Sequence, residues 1–125
     1  MFLFSFACND NKQHISPELI TSSPVIEIQE ESFDFGEIYE GEIVQHKFKV
    51  TNIGDGSLII TSVKASCGCT VARWSKESIP SGKDGFVEVT FDSKNRKGIQ
   101  KKTITLLTNS IPNITVLTIK GNVIN

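Results

Sequence analysis

From residue 42 to residue 51 the chain alternates without a break. Val44, His46, Phe48 and Val50 fall on one side, and Gln45, Lys47, Lys49 and Thr51 on the other. A period of two marks a strand with one face in a core and the other in water. The pattern recurs along the chain. Val25, Ile26 and Ile28 lead through Glu30-Glu31 to Phe33-Asp34-Phe35-Gly36, which reads as a first strand broken in two. Leu58 to Val63 is β-branched, and Cys67 to Val71 runs on into Ala72-Arg73-Trp74. Phe86 to Phe91 sets Val87, Val89 and Phe91 on one face, and Lys101 to Thr108 follows. The last strand, Thr115 to Val123, predicts Leu117, Ile119 and Val123 inward and Thr118, Lys120 and Asn122 outward. Between these runs lie turn signals: Asn52-Ile53-Gly54-Asp55-Gly56, whose residues tolerate left-handed conformations, then Pro80 to Gly85, Lys94 to Gly98 and Asn109 to Asn113.

Short strands separated by turns, with no helical period of useful length, predict an all-β fold: an immunoglobulin-like antiparallel β-sandwich of about seven strands. Half-polar strands argue against a parallel sheet, whose strands read as continuous apolar runs. An open barrel is the rival architecture. Composition agrees, since 16 Ile, 9 Val and 10 Thr outnumber 6 Leu, 3 Ala and 1 Met. The 125 residues suit one domain, and 13 basic against 14 acidic residues leave no basic surplus for binding nucleic acid.

Residues 1–8, Met-Phe-Leu-Phe-Ser-Phe-Ala-Cys, are apolar and end in a small residue before Cys8. This resembles the end of a bacterial lipoprotein signal, in which the Cys receives the lipid after cleavage. The basic start and full apolar length of such a signal are missing here. Seven apolar residues are too few to cross a bilayer core, which takes about 20 as a helix, so a lipidated Cys8 would tether the protein by acyl chains. Residues 9–23 are polar and aperiodic and read as a flexible linker, reaching roughly 20 Å. The folded domain is then expected over residues 24–125.

Between residues 33 and 123 five motifs follow in order. Phe33-x-Phe35-Gly36-x-Ile38-x-x-Gly41 comes first, followed by Val44-x-His46-x-Phe48-x-Val50-Thr51-Asn52-x-Gly54. Then come Ala65-Ser66-Cys67-Gly68-Cys69-Thr70, Phe91-Asp92-Ser93 and Gly98-x-Gln100-x-Lys102. Ser-Cys-Gly-Cys-Thr is the most specific of these, and the ordered set resembles a bacterial family catalogued as domain of unknown function 1573. Where a Pro-Gly pair is usual after Trp74, this chain has Pro80-Ser81-Gly82. The resemblance implies small envelope lipoproteins or secreted proteins with an immunoglobulin-like sandwich, and no established reaction.

Three Cys less one lipidated Cys8 leave Cys67 and Cys69 as a thiol pair or a disulfide. Residues i and i+2 of a strand lie about 6.6 Å apart, near the upper limit for a bridge, although a bend at Gly68 could shorten that span. A strained bridge is easily reduced, as a redox role needs. The competing reading is an inert local staple, or two idle thiols. A soft metal is a further alternative, with Cys67, Cys69 and His46 holding Cu or Zn, but two thiolates and one imidazole fall short of a structural zinc set. His14 lies in the linker, and His46 by itself reads as a half-buried core histidine or one hydrogen-bonded to backbone. Glu30, Glu31, Glu37, Glu40 and Glu42 read as solvated charges, and neither a phosphate-binding loop nor a nucleophile elbow is present. Five cations between Lys94 and Lys102 could touch anionic lipid or glycan, or simply solvate a hairpin. Trp74 and Tyr39 are candidate partner anchors, with Trp74 reading equally as a core residue.

Together these readings predict a non-enzymatic protein with no required cofactor. It would be anchored through lipid in the cell envelope, facing periplasm or cell surface, and would present loops or a sheet edge to another envelope protein. The alternative is a thiol-redox or soft-metal module built on the Cys-Gly-Cys pair.

Overall fold

The computed structural model describes residues 23–66 and 68–125. Eight strands follow in order: β1 (Ile26–Glu27), β2 (Ser32–Tyr39), β3 (Ile43–Asn52), β4 (Ile60–Ala65), β5 (Cys69–Trp74), β6 (Asp84–Asp92), β7 (Gly98–Thr108) and β8 (Ile114–Ile124). They form two four-stranded sheets, ordered β1-β3-β6-β5 and β2-β8-β7-β4. The sandwich is the expected one, with eight strands in place of about seven.

The expected break in the first strand is a change of sheet. β1 pairs antiparallel with β3, and the chain then crosses so that β2 pairs with β8. That second pairing is parallel, which corrects the all-antiparallel expectation. Alternation along one strand shows which face is buried but not which direction its neighbour runs, so the sequence pattern could not separate the two arrangements.

Inner faces carry the core. Phe48 and Val50 of β3 and Val87, Val89 and Phe91 of β6 are buried opposite Ile104 and Leu106 of β7 and Leu117, Ile119 and Val123 of β8. Leu58 and Ile79, joined by paired backbone hydrogen bonds of 3.0 and 2.8 Å, close one end. Each fully buried aliphatic or aromatic side chain contributes about 1.5–3 kcal/mol, so these rows are the main source of stability.

The Asn52–Gly56 turn does not work as the sequence suggests. None of its residues takes the left-handed conformation. Asn52 is instead a buried cross-brace: its Nδ2 donates to the carbonyls of Gly56 (2.7 Å) and Ile79 (2.8 Å), and its Oδ1 accepts from the amides of Gly54 (3.0 Å) and Val25 (3.3 Å). Gly54 is small because a Cβ there would stand 2.4 Å from the Ser23 carbonyl oxygen.

Candidate functional site

Two regions carry the residues singled out by sequence: the β4–β5 corner and the outer edge of β3.

At the corner, Ser66 joins two sheets. Its amide donates to Thr103 O (2.9 Å), its hydroxyl accepts from Thr103 N (3.0 Å), and its carbonyl accepts from Cys69 N (3.1 Å). Gly68 takes a φ of +94°, a left-handed conformation open to glycine. The Arg96 guanidinium lies over it, so close that an added Cβ would meet it at 2.8 Å. Lys102 is the surprise of this corner. It pairs with inward-facing Ile119 and so points into the sandwich, beside Cys69, whereas Lys101 pairs with Lys120 on the outer face. Burial pushes the Cys69 thiol above the usual thiol range, and the charges of Lys102 and Arg96 partly oppose that rise. Two of the five hairpin cations are thus drawn toward the Cys-Gly-Cys corner. A signal existed in the sequence, since Lys102 falls in phase with Ile104 and Leu106.

Cys67 and Cys8 lie outside the described residues, as does the linker up to residue 22, with His14. Cys69 is half-buried and carries a free thiol. His46 is elsewhere. It pairs with Val89 while Cys69 pairs with Phe91, on opposite sides of β6. That places them two strands apart, roughly 10 Å, and offset by roughly 7 Å along the strands. The His46 ring is stacked on Phe33 (centroids 3.8 Å apart) and meets the edge of Phe48 (4.6 Å). Its Nε2 comes within 3.2 Å of Glu30 Oε1 without the alignment of a hydrogen bond. The structure therefore does not bring His46 to Cys69, and the described residues hold no cluster of three metal-binding side chains.

The second region is backbone. Three of the four strands that border a sheet, β2, β4 and β5, carry a register shift, at Asp34/Glu37, Ile60/Ser62 and Val71/Arg73. Such bulges bend an edge away from incoming strands. On the remaining side, the two-residue β1 covers only Thr51 and Asn52 of β3. From Ile43 to Val50 no described strand pairs with β3 there, while its pairing with β6 runs in unbroken register. Asn52 N and O both bond toward β6, and Ile53 N bonds toward Val25. By alternation, Ile43, Gln45, Lys47 and Lys49 present their amides and carbonyls to the open side. Lys47 Nζ also lies 5.0 Å from the Phe86 ring centre, and Lys49 Nζ is 3.5 Å from Asp84. Tyr39 is exposed near this edge, and Trp74 is half-buried against the core with Lys76 over its ring. A shallow hollow of about 450 Å³ lies beside Trp74, Glu77, Asp84 and Phe86.

The architecture is that of an immunoglobulin-like β-sandwich. A family model described as "Protein of unknown function (DUF1573)" matches residues 26–123. The chain belongs to that family. No curated protein matches it. Among solved structures it is similar to a protein of unknown function from Porphyromonas gingivalis W83, with TM-score 0.71, 18% identity and coverage of 85% of this chain and 50% of that one. It is also similar to the ASH/PapD-like domain 7 of human CEP192, with TM-score 0.62, 15% identity and coverage of 94% and 98%. The Vibrio cholerae protease VesB gives TM-score 0.62 and 17% identity over 87% of this chain and 35% of that one. Identities this low concern the fold alone, and the chain spans half or less of the Porphyromonas and Vibrio proteins.

Proposed function

We propose that this protein is a non-enzymatic, lipid-anchored module of the cell envelope that captures another envelope protein by strand addition to β3. The observation that carries the reading is the unshifted edge from Ile43 to Val50, which among the described residues is open and is the one border of the sandwich left straight. Strand addition draws affinity from main-chain hydrogen bonds and specificity from alternate side chains. On the solvent face those are Gln45, Lys47 and Lys49, so the fitting partner is an extended segment with acidic residues at alternate positions. A second copy would set lysines against lysines and fits poorly. The lipid anchor rests on Ala7-Cys8 and the polar stretch behind it.

Proline chemistry gives a clean test. Lys47→Pro removes one outward amide and leaves the β3–β6 ladder whole, as an edge strand tolerates. Capture of the partner from envelope extract should be lost while the melting temperature changes little. Capture unchanged by Lys47→Pro would remove strand addition from the account.

The thiol-redox alternative keeps one supporting observation, the Lys102 and Arg96 charges beside Cys69. In that reading two thiols, Cys67 and Cys69, would pass two electrons and two protons to a partner disulfide, giving a bridge here and two thiols there. Thiol counting before and after mild reduction, with metal analysis of chelator-free protein, decides for or against it.

A further inference from the structure

Where the chain enters the domain, the exposed apolar side chains gather. The backbone from Ser23 to Val25 lies against the β3–β4 turn: Ile53 N donates to Val25 O (2.9 Å), and Asp55 N and Gly56 N donate to Ser23 O (3.0 and 3.1 Å). The β7–β8 hairpin is tied to the same end, since Asn109 N donates to Ile59 O (3.1 Å) and Asn109 Nδ2 to Ser57 O (3.1 Å). From this joined platform Ile53 projects with 56% of its surface exposed, and Ile111, at the hairpin tip, with 88%. Val25, Ile59 and Ile114 are exposed around them. Among the exposed large apolar side chains of the described residues, only Tyr39, Ile43 and Ile99 lie toward the other end. Most of the exposed large apolar side chains thus lie toward one end of the sandwich, and a concentration of apolar surface of this kind marks a contact face.

We propose that this end sits on the lipid bilayer, with Ile111 and Ile53 entering the interface while the tether holds the domain close. The inference rests on the lipid-anchor reading, because the occupant is fixed by where the chain leaves: the segment carrying Cys8 departs from Ser23, beside Gly54. A short tether supplies a high local concentration of membrane, so a small apolar contact suffices to orient the domain. The seating has a mechanical consequence. β3 ends at this platform and runs away from it to Ile43, so its open edge stands upright from the membrane, free for a partner in the envelope space.

The test separates orientation from lipidation. The full chain, carrying an N-terminal hexahistidine, is held on vesicles of phosphatidylethanolamine and phosphatidylglycerol doped with a nickel-chelating lipid. Emission of Ile111→Trp and of Ile99→Trp is then read against the parent, which carries Trp74 alone, with and without brominated acyl chains. The proposal expects bromine to quench the tryptophan placed at position 111, with a blue shift, and to leave the one at position 99 unquenched. No quenching at either position, or equal quenching at both, overturns it. Mass spectrometry of Cys8 in envelope fractions reports separately on the anchor, so failure of one claim is not read as failure of the other.

Discussion

The imidazole of His46 lies face to face with the ring of Phe33, the two planes only 11° from parallel, so that β3 of one sheet is stacked on β2 of the other. This contact closes the side of the sandwich where the chain changes sheets. It also gives His46 the packing role of a half-buried core histidine, the reading its place in the alternating row offers beside that of a metal ligand.

The stack predicts opposite outcomes for two substitutions. His46→Ala forfeits both ring contacts and leaves a gap, and should cost about 2 kcal/mol. His46→Phe keeps the flat ring and removes a buried nitrogen that has no hydrogen-bond partner, so thermal melting should show stability held or raised. Equal losses in both variants would mean that the nitrogen itself matters.

Asn52 should be among the most sensitive polar positions. Its amide meets four backbone partners at one end of the fold, and leaving buried partners unmade costs about 1–3 kcal/mol apiece. Asn52→Ala is expected to lose at least about 3 kcal/mol in urea unfolding, and a loss below about 1 kcal/mol would show that water or a shifted turn replaces the brace.

Gly121 is predicted to couple to Phe35. A Cβ at Gly121 would sit 2.2 Å from the Phe35 ring, so Gly121→Ala alone should destabilise strongly and Phe35→Leu should recover part of the loss. A double-mutant cycle measures the coupling. Additive effects would place the strain elsewhere.

Asp84 gives a prediction in acid. The Thr51 hydroxyl, donating to Oδ1 at 2.8 Å, and then Lys49 hold its carboxyl below the ordinary carboxylate range. A lowered carboxyl contributes stability above the unfolded-state value and loses it as pH falls through the folded one. Thr51→Val should move the Asp84 titration, followed by NMR, up toward the ordinary range. An unchanged titration would leave the hydroxyl without a role.

How much of this was legible in the sequence depended on whether a feature is periodic. The rows Val44 to Val50, Val87 to Phe91 and Leu117 to Val123 could be read directly, because alternation is itself the physics of a half-buried strand. Pairing direction could not, so the parallel β2–β8 pair emerges only from the fold. Asn52 looked like a turn residue, since a buried amide and an exposed one have the same letter. His46 and Cys69 both face inward, and one strand pattern cannot tell that β6 runs between them. Lys102 is legible by phase, although it stands within a run of cations. The open edge of β3 follows from the two-residue length of β1, which only the fold reveals.

The central claim is that β3 receives a partner strand along its open side, and amide hydrogen exchange tests it most directly. With the captured envelope protein present, the amides of Ile43, Gln45, Lys47 and Lys49 should become protected together, while those of Val44, His46 and Phe48, already bonded to β6, should change little. Protection appearing instead at β5, or at the loops with β3 still exchanging freely, would contradict the account.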